Sequence, residues 1–168
     1  GLMRYNITYF ALAFFALSFC KPQEQIKLDI FVKEGFVVER LYTPGDHDQG
    51  SWVSITRDGQ GRLIASDQYG SLYYVEVPPL GSGDSVKVEP IDLDIGSAQG
   101  LLWAYDGLYV MVNSSPKEES GLYRVTDSDN DGKLDSISYL QQFVGGGEHG
   151  PHAVILGPDG YLYVVAGN

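Results

Sequence analysis

Short runs rich in apolar residues fill most of the chain, and glycine-containing turns separate them. β-branched and aromatic side chains dominate these runs, and this composition is typical of β-strands. No stretch after residue 25 keeps the apolar spacing of an amphipathic helix. The pattern therefore predicts an all-β protein with strands in the segments 52–55, 63–66, 72–77, 108–112, 122–125 and 161–165.

The strand pattern repeats about every fifty residues. Asp-Gly turns begin at Asp58, Asp106 and Asp159, at spacings of 48 and 53 residues, and the later glycines Gly70 and Gly121 lie 51 residues apart. Asp-Gly supplies the backbone geometry that tight hairpins need. An all-β repeat of this length is typical of β-propeller blades, each a four-stranded antiparallel sheet. We expect an incomplete run of about three blades; a single β-sandwich with coincidental turns is the alternative.

The first twenty residues have the pattern of an export signal. Arg4 precedes an apolar run at residues 7–19, which is too short to span a bilayer as a helix but suits a signal peptide. The run ends in Leu17-Ser18-Phe19-Cys20, which resembles a bacterial lipobox and predicts lipidation of Cys20. The alternatives are a buried N-terminal helix and an ordinary secretory signal with an incidental cysteine.

Charge and cysteine content narrow the function. The 168 residues include 22 Asp and Glu against 11 Lys and Arg, a net charge of −11, which argues against nucleic acid as a partner. One cysteine excludes a disulfide framework and a Cys-rich metal site.

We expect a signal peptide at 1–20, a linker at 21–30 and a partial propeller at 31–168. Because propellers close with about 4–8 blades, we interpret the chain as an N-terminal fragment with exposed sheet edges.

An acidic segment between residues 127 and 135 has the spacing of a calcium loop. Its carboxylates stand at loop positions 1, 3, 5 and 9, a glycine stands at position 6, and a backbone carbonyl is available at position 7. The bidentate glutamate of an EF-hand is missing, and the preceding segment is a predicted strand, so we expect a Ca²⁺ loop on a β-hairpin. The alternative is a solvated turn. The predicted ligands are Asp127, Asp129, Asp131, the carbonyl of Lys133, and Asp135.

A glycine-rich segment at residues 145–152 carries two of the three histidines. Glu148 and His149 are adjacent, and an imidazole beside a carboxylate is a common general-base arrangement. A metal site using Glu148, His149 and His152 is also possible, as is a structural histidine in a turn. His47 lies between Asp46 and Asp48 and is interpreted as a solvated loop residue.

Several of these segments, taken in order, resemble the propeller of soluble quinoprotein glucose/sorbosone dehydrogenases. The segments that carry the resemblance are Gln99-Gly100-Leu101-Leu102, Glu148-His149, Gly157-Pro158-Asp159-Gly160, Leu162-Tyr163 and Gly167-Asn168. The resemblance implies a six-bladed propeller in the full protein and pyrroloquinoline quinone (PQQ) as cofactor, with most cofactor-binding residues outside this chain. It further implies that His149 is the general base and that Gln99 and Glu148 bind the substrate.

A closer similarity is to exported "membrane-bound dehydrogenase" proteins of Planctomycetes, Verrucomicrobia and Bacteroidetes. It covers about residues 30–168 and includes 50–54, 66–70, 108–110, the acidic loop and 148–152. The resemblance implies an exported protein, oxidation of a sugar or alcohol, and electron transfer to a cytochrome c domain or protein. Together with the lipobox-like end at Cys20, it predicts a lipoprotein of the bacterial cell envelope, in the periplasm or at the outer membrane. The alternative is a non-catalytic, calcium-stabilised propeller that serves as a binding or scaffold module.

Overall fold

The structure is a computed structural model that describes residues 30–113, 119–145 and 147–167, with only the backbone described at Glu148. The predicted signal peptide and Cys20 lie outside the described residues. The chain divides into two compact units between Val38 and Glu39. In the first unit, residues 30–38 are exposed and form a turn in which the amide of Phe36 donates to the carbonyl of Lys33.

The second unit is all-β, as the sequence predicted. Two single-turn 3₁₀ helices contribute no sheet residues: Pro44–His47 precedes the first strand, and Gly147–His149 lies between two later strands. The strands are β1 (Trp52–Arg57), β2 (Leu63–Asp67), β3 (Leu72–Glu76), β4 (Lys87–Pro90), β5 (Ala98–Ala104), β6 (Gly107–Val112), β7 (Gly121–Thr126), β8 (Ser136–Gln142), β9 (Pro151–Leu156) and β10 (Leu162–Ala166).

The strands form three antiparallel sheets in which neighbours in sequence are neighbours in space. The orders are β1-β2-β3-β4, β5-β6-β7-β8 and β9-β10. The predicted Asp-Gly turns join the first two strands of each sheet. At the second turn, Tyr105 and Asp106 have φ values of 51° and 52°, as a two-residue hairpin of the type I′ class requires. The sequence repeat is therefore a repeat of hairpins.

The first strand of each sheet packs against the first strand of the next, β1 on β5 and β5 on β9. The amide of Leu101 donates to Ser54 Oγ at 3.1 Å, and that of Trp103 to Thr56 Oγ1 at 3.3 Å. These hydroxyls satisfy backbone donors on the edge of β5 that has no strand partner. On the other side, β9 passes so close that a Cβ added at Gly100 would lie 3.0 Å from Ala153 Cα.

Two apolar clusters fill the spaces between the sheets, and β6 is buried along its whole length. The larger cluster joins the first two sheets, and the smaller joins the second sheet to β9 and β10. The larger contains Ile64, Leu72, Tyr74, Ile91, Ile95, Ala98, Leu101, Leu108, Val110, Val112, Tyr123, Val125 and Leu134; the smaller contains Ala104, Tyr109, Met111, Leu122 and Val154.

Because the sheets are aligned, their strands share two ends. The histidine end contains the first residues of β1, β5 and β9 and the last residues of β2, β6 and β10. The turn end contains the three Asp-Gly turns and the acidic loop between β7 and β8. Hydrogen bonds link neighbouring sheets at both ends: Gln99 reaches Gln68 at the first, and Arg62 reaches Gly132 at the second.

Candidate functional site

Gln99 lies at the histidine end, where the first two sheets meet. It is the second residue of β5 and is half-buried. Its side-chain Nε2 donates to the carbonyl oxygens of Gln68, at 3.2 Å, and of Ser97, at 3.4 Å. Both bonds use the amide nitrogen, so the side-chain oxygen is the atom that could accept from a bound hydroxyl.

His149 lies at the same end, one residue before Gly150 and two before β9. It is the last residue of the second 3₁₀ helix, and its imidazole is exposed. Since β5 packs on β9, the fold brings the segments of Gln99 and His149 to one end of adjacent sheets. For Glu148 the structure gives only the backbone position, in the same helix.

Asn113, which the sequence analysis did not single out, holds the loop that carries His149. This residue follows β6, is 9% exposed, and donates from Nδ2 to the carbonyl of Gly147 at 2.6 Å. A polar residue at the end of an otherwise apolar strand was the only available signal, because the bonding partner lies 34 residues later.

The other two histidines have different surroundings. His152 is half-buried on β9, and its carbonyl lies against Gly100. His47 is exposed, as the sequence predicted, and its ring stacks on Tyr42 with centroids 4.6 Å apart. Among described side chains, the groups suited to a metal do not include His149 with His152. Because the Glu148 side chain is not among those described, the alternative metal site stays a prediction.

The acidic loop brings three of its predicted ligands together at the turn end. Asp127, Asp129 and Asp131 each place a carboxylate oxygen within 4.8 Å of the others. The loop backbone supports this arrangement: the amide of Gly132 donates to Asp127 Oδ2 at 2.8 Å, and that of Lys133 to Asp131 Oδ1 at 2.8 Å. Oxygen ligands at such separations suit a hard cation such as Ca²⁺.

Asp135 lies in the same loop but has a different partner. Its two carboxylate oxygens accept from the amide and from the hydroxyl of Ser128, each at 2.8 Å. These hydrogen bonds lower the pKa of Asp135 below its ordinary value because they stabilise the ionised carboxylate. In this structure Asp135 closes the base of the loop, while the other three carboxylates form the cluster.

The acidic loop also joins the first two sheets. The carbonyl of Gly132 accepts from Arg62 Nη2 at 2.8 Å and from Gln60 Nε2 at 3.3 Å. The amide of Leu134 donates to the hydroxyl of Tyr74 at 2.8 Å. Burial raises the pKa of Tyr74, although this bond opposes the rise, so the phenol is held in its neutral form.

Asp58 orients Arg62 for this contact. The carboxylate of Asp58 accepts from Arg62 Nε at 2.7 Å and from the Arg62 amide at 2.8 Å. The guanidinium lies over the ring of Tyr74, 4.0 Å from the ring centroid. A buried carboxylate, a cation and an aromatic ring of the first sheet thus meet the loop of the second.

The two ends differ in positive charge. Within the described strands and the turns that join them, every Lys and Arg lies at the turn end or reaches it. Arg124, in β7, donates to the carbonyl of Tyr105 in an Asp-Gly turn at 2.8 Å. The others are Arg57, Arg62, Lys87 and Lys133.

Comparison with models of protein families, with curated proteins and with solved structures finds no match to this chain. Within the part of the chain that the structure describes, no helix has the length and apolar character needed to cross a membrane.

Proposed function

We propose that the chain contributes the first blades of a β-propeller dehydrogenase of the quinoprotein type, whose substrate binds at the histidine end. The placement of Gln99 and His149 at one end of two sheets that pack on each other carries this proposal. The two four-stranded antiparallel sheets and the two-stranded third, each opened by an Asp-Gly hairpin, support the propeller interpretation. A six-bladed ring in the full protein is part of the same proposal.

His149 takes the role of general base in this proposal. An exposed imidazole could accept the proton of a substrate hydroxyl while the carbon that bears the hydroxyl gives up its hydrogen as hydride to an electron acceptor, which leaves a carbonyl group. Gln99 would hold the substrate through its side-chain oxygen, since its nitrogen already bonds to Gln68 and Ser97. Glu148, next to His149, is proposed to bind the substrate and to orient the imidazole. The substrate class is a sugar or an alcohol.

PQQ would be the electron acceptor in such an enzyme, but the described residues at the histidine end do not fit the binding of this cofactor. The cofactor carries several carboxylates, and proteins bind carboxylates with Arg and Lys. Among the described strands and their joining turns, those residues belong to the turn end. The cofactor would therefore need residues outside this set.

The protein's setting is proposed from the sequence. An export signal ending in Cys20 supports a lipid anchor and a place in the bacterial cell envelope, in the periplasm or at the outer membrane. There a cytochrome c domain or protein would receive the electrons. Net charge of −11 supports the expectation that nucleic acid is not a partner.

Dye-linked oxidation by the full-length exported protein, supplied with PQQ and a panel of sugars and alcohols, tests the enzyme proposal. We expect His149→Ala to lower kcat/KM by about 10²–10⁴-fold and Gln99→Ala to raise KM. His47→Ala is the matched control and should keep full activity, because His47 stacks on Tyr42 in a separate loop. Equal activity in the wild type and His149→Ala would remove His149 from the mechanism. No oxidation of any substrate by the wild type would favour the second function.

The second candidate function is a non-catalytic propeller module stabilised by Ca²⁺. The clustering of Asp127, Asp129 and Asp131 in the loop that joins the first two sheets favours it. A cation held there would offset the repulsion among the carboxylates. It would also hold Gly132, whose amide bonds to Asp127 and whose carbonyl bonds to Arg62.

A calcium titration followed by thermal unfolding tests this site. Ca²⁺ at 100 times its Kd should stabilise the fold by about 2.7 kcal/mol, which is a shift of several degrees in Tm. Asp129→Asn should abolish most of the shift. Asp84→Asn is the matched control, because it removes one charge from an exposed loop outside the cluster. This variant should show the same Ca²⁺-dependent shift in Tm as the wild type. If Ca²⁺ does not change the Tm of the wild type, or if it raises the Tm of Asp129→Asn by the same amount, the proposed calcium site is wrong.

A further inference from the structure

The residue that follows β6 contacts the next sheet through its side chain. The backbone of Asn113 is fixed in the second sheet, since its amide donates to the carbonyl of Ser97 at 3.1 Å. Its Nδ2 crosses to the loop before β9 and donates to the carbonyl of Gly147 at 2.6 Å. Asn113 is 9% exposed, whereas Gly147 lies in an exposed loop, so the bond ties that loop to a buried residue.

Two glycines complete the contact. A Cβ added at Gly150 would overlap the carboxamide of Asn113, so the loop approaches that side chain at van der Waals distance. A Cβ added at Gly167 would lie 2.7 Å from the carbonyl oxygen of His149. The amide of Gly167 donates to the carbonyl of Gly150 at 3.2 Å. The backbone around His149 thus contacts the residues that follow β6 and β10.

The loop needs such an anchor because of its composition. Gly147 has a φ of 62°, a conformation that glycine adopts readily but has no intrinsic preference for. A segment with glycines at 145, 146, 147 and 150 loses much conformational entropy when it is ordered. The bond from Asn113 to the Gly147 carbonyl selects one conformation from this ensemble, two residues before His149.

We propose that Asn113 is a positioning residue that fixes the direction of His149 through Gly147 and Gly150. The proposal rests on the proposed function only where it treats His149 as the general base. A base must be held within hydrogen-bond reach of the proton it accepts, and an exposed imidazole on a glycine loop lacks packing of its own to hold it.

The imidazole resonances of His149 in the full-length protein provide the main readout, because they respond to ring environment and motion. Asn113→Asp keeps the side-chain volume and removes the donor, and Asn113→Ala removes the whole carboxamide. We expect both substitutions to shift and narrow the His149 signal, while the His47 signal stays in place. Amide exchange at residues 147–150 should accelerate about fivefold or more.

A double-mutant cycle separates positioning from general destabilisation. Gly150→Ala should displace the loop by collision with the intact Asn113 side chain and should shift the His149 signal as well. Asn113→Ala/Gly150→Ala removes the collision, so its Tm should exceed the value expected from the sum of the two single effects. Because Gly150→Ala leaves Asn113 unchanged, it also serves if an Asn113 variant fails to fold.

Folded variants in which the His149 signal and the loop exchange rates match the wild type would overturn the proposal, and so would strict additivity in the cycle. Neither readout needs substrate or cofactor. A wild-type protein without dehydrogenase activity would therefore refute the proposed function and leave this test intact. Where activity is present, Asn113→Asp should lower kcat more than it changes KM.

Discussion

The two ends of the sheets are held together by different chemistry. At the turn end, an ion pair supports the connection between the first two sheets: Asp58 binds Arg62, and Arg62 binds the acidic loop at Gly132, beside a weaker bond from the amide of Gln60. At the histidine end, the sheets are connected by amide side chains and close glycine contacts, through Gln99 and Asn113. The described strands and turns place their positive charges at the first of these ends only.

This difference indicates that the two ends resist local opening to different degrees. The part-buried ion pair of Arg62 and Asp58 resists local opening, because breaking it leaves the buried Asp58 carboxylate without its cation. Neutral amide contacts cost less to break, so we expect the histidine end to open locally more readily than the turn end. Binding sites are commonly placed where a rigid scaffold presents loops of this kind.

The largest stability effect is predicted at the turn end, for Arg62→Met. The substitution leaves the Asp58 carboxylate, whose side chain is 1% exposed, without its cation. It also removes the contact with Gly132 and the stacking on Tyr74. We expect a loss of about 3 kcal/mol in the free energy of unfolding, measured by urea denaturation as a lower midpoint with an unchanged m-value.

Arg57→Met is the matched control for this prediction. Arg57 is an exposed residue at the end of β1, next to the same turn, and its replacement should change stability by about 0.5 kcal/mol or less. Amide exchange at residues 147–150 should be the same in Arg62→Met as in the wild type under native conditions. Equal losses in the two arginine variants would contradict the assigned role of the network, and faster exchange at His149 would contradict the independence of the two ends.

The sequence predicted six of the ten described strands, because apolar and β-branched runs identify β1, β2, β3, β6, β7 and β10. The Asp-Gly pairs add a second local signal, since they identify the hairpins that open each sheet. The alternating pattern does not identify β4 or β8. Both are outer strands; β4 contains Pro90, and most β8 side chains are exposed, so neither strand needs a regular apolar face.

The candidate sites could be predicted only in part. The acidic spacing identified Asp127, Asp129 and Asp131 because the ligands of such a loop are close in sequence. The same spacing could not show that Asp135 bonds to Ser128, since a carboxylate at that position can serve either role. Arg62 and Asn113 were missed because each bonds to a backbone carbonyl far along the chain, at separations of 70 and 34 residues. Since every residue has a backbone carbonyl, the sequence does not indicate which one accepts such a bond.

The smallest predicted effect also belongs to the turn end, in the third Asp-Gly turn. The hydroxyl of Tyr163 donates to Asp159 Oδ2 at 2.6 Å, and the amide of Tyr161 donates to Oδ1 at 3.2 Å. These bonds lower the pKa of Asp159, the hydroxyl contributing more than the amide, while Asp159 raises the pKa of Tyr163. Both groups are exposed, so the bond contributes little to stability.

Tyr163→Phe should raise the pKa of Asp159 toward its ordinary value of about 3.9, measured by carboxyl ¹³C NMR. A lowered carboxyl pKa adds stability that is present above the ordinary value and is lost as the pH falls through the folded-state pKa. A raised tyrosine pKa adds stability that is present below about 10 and is lost as the pH rises further. The stability difference between the wild type and Tyr163→Phe should therefore be largest between these two values and should shrink in acid and in base. Tyr161→Phe, which keeps the amide bond to Asp159, should leave the carboxyl titration unchanged, and an equal shift in both variants would show that the hydroxyl of Tyr163 does not govern Asp159.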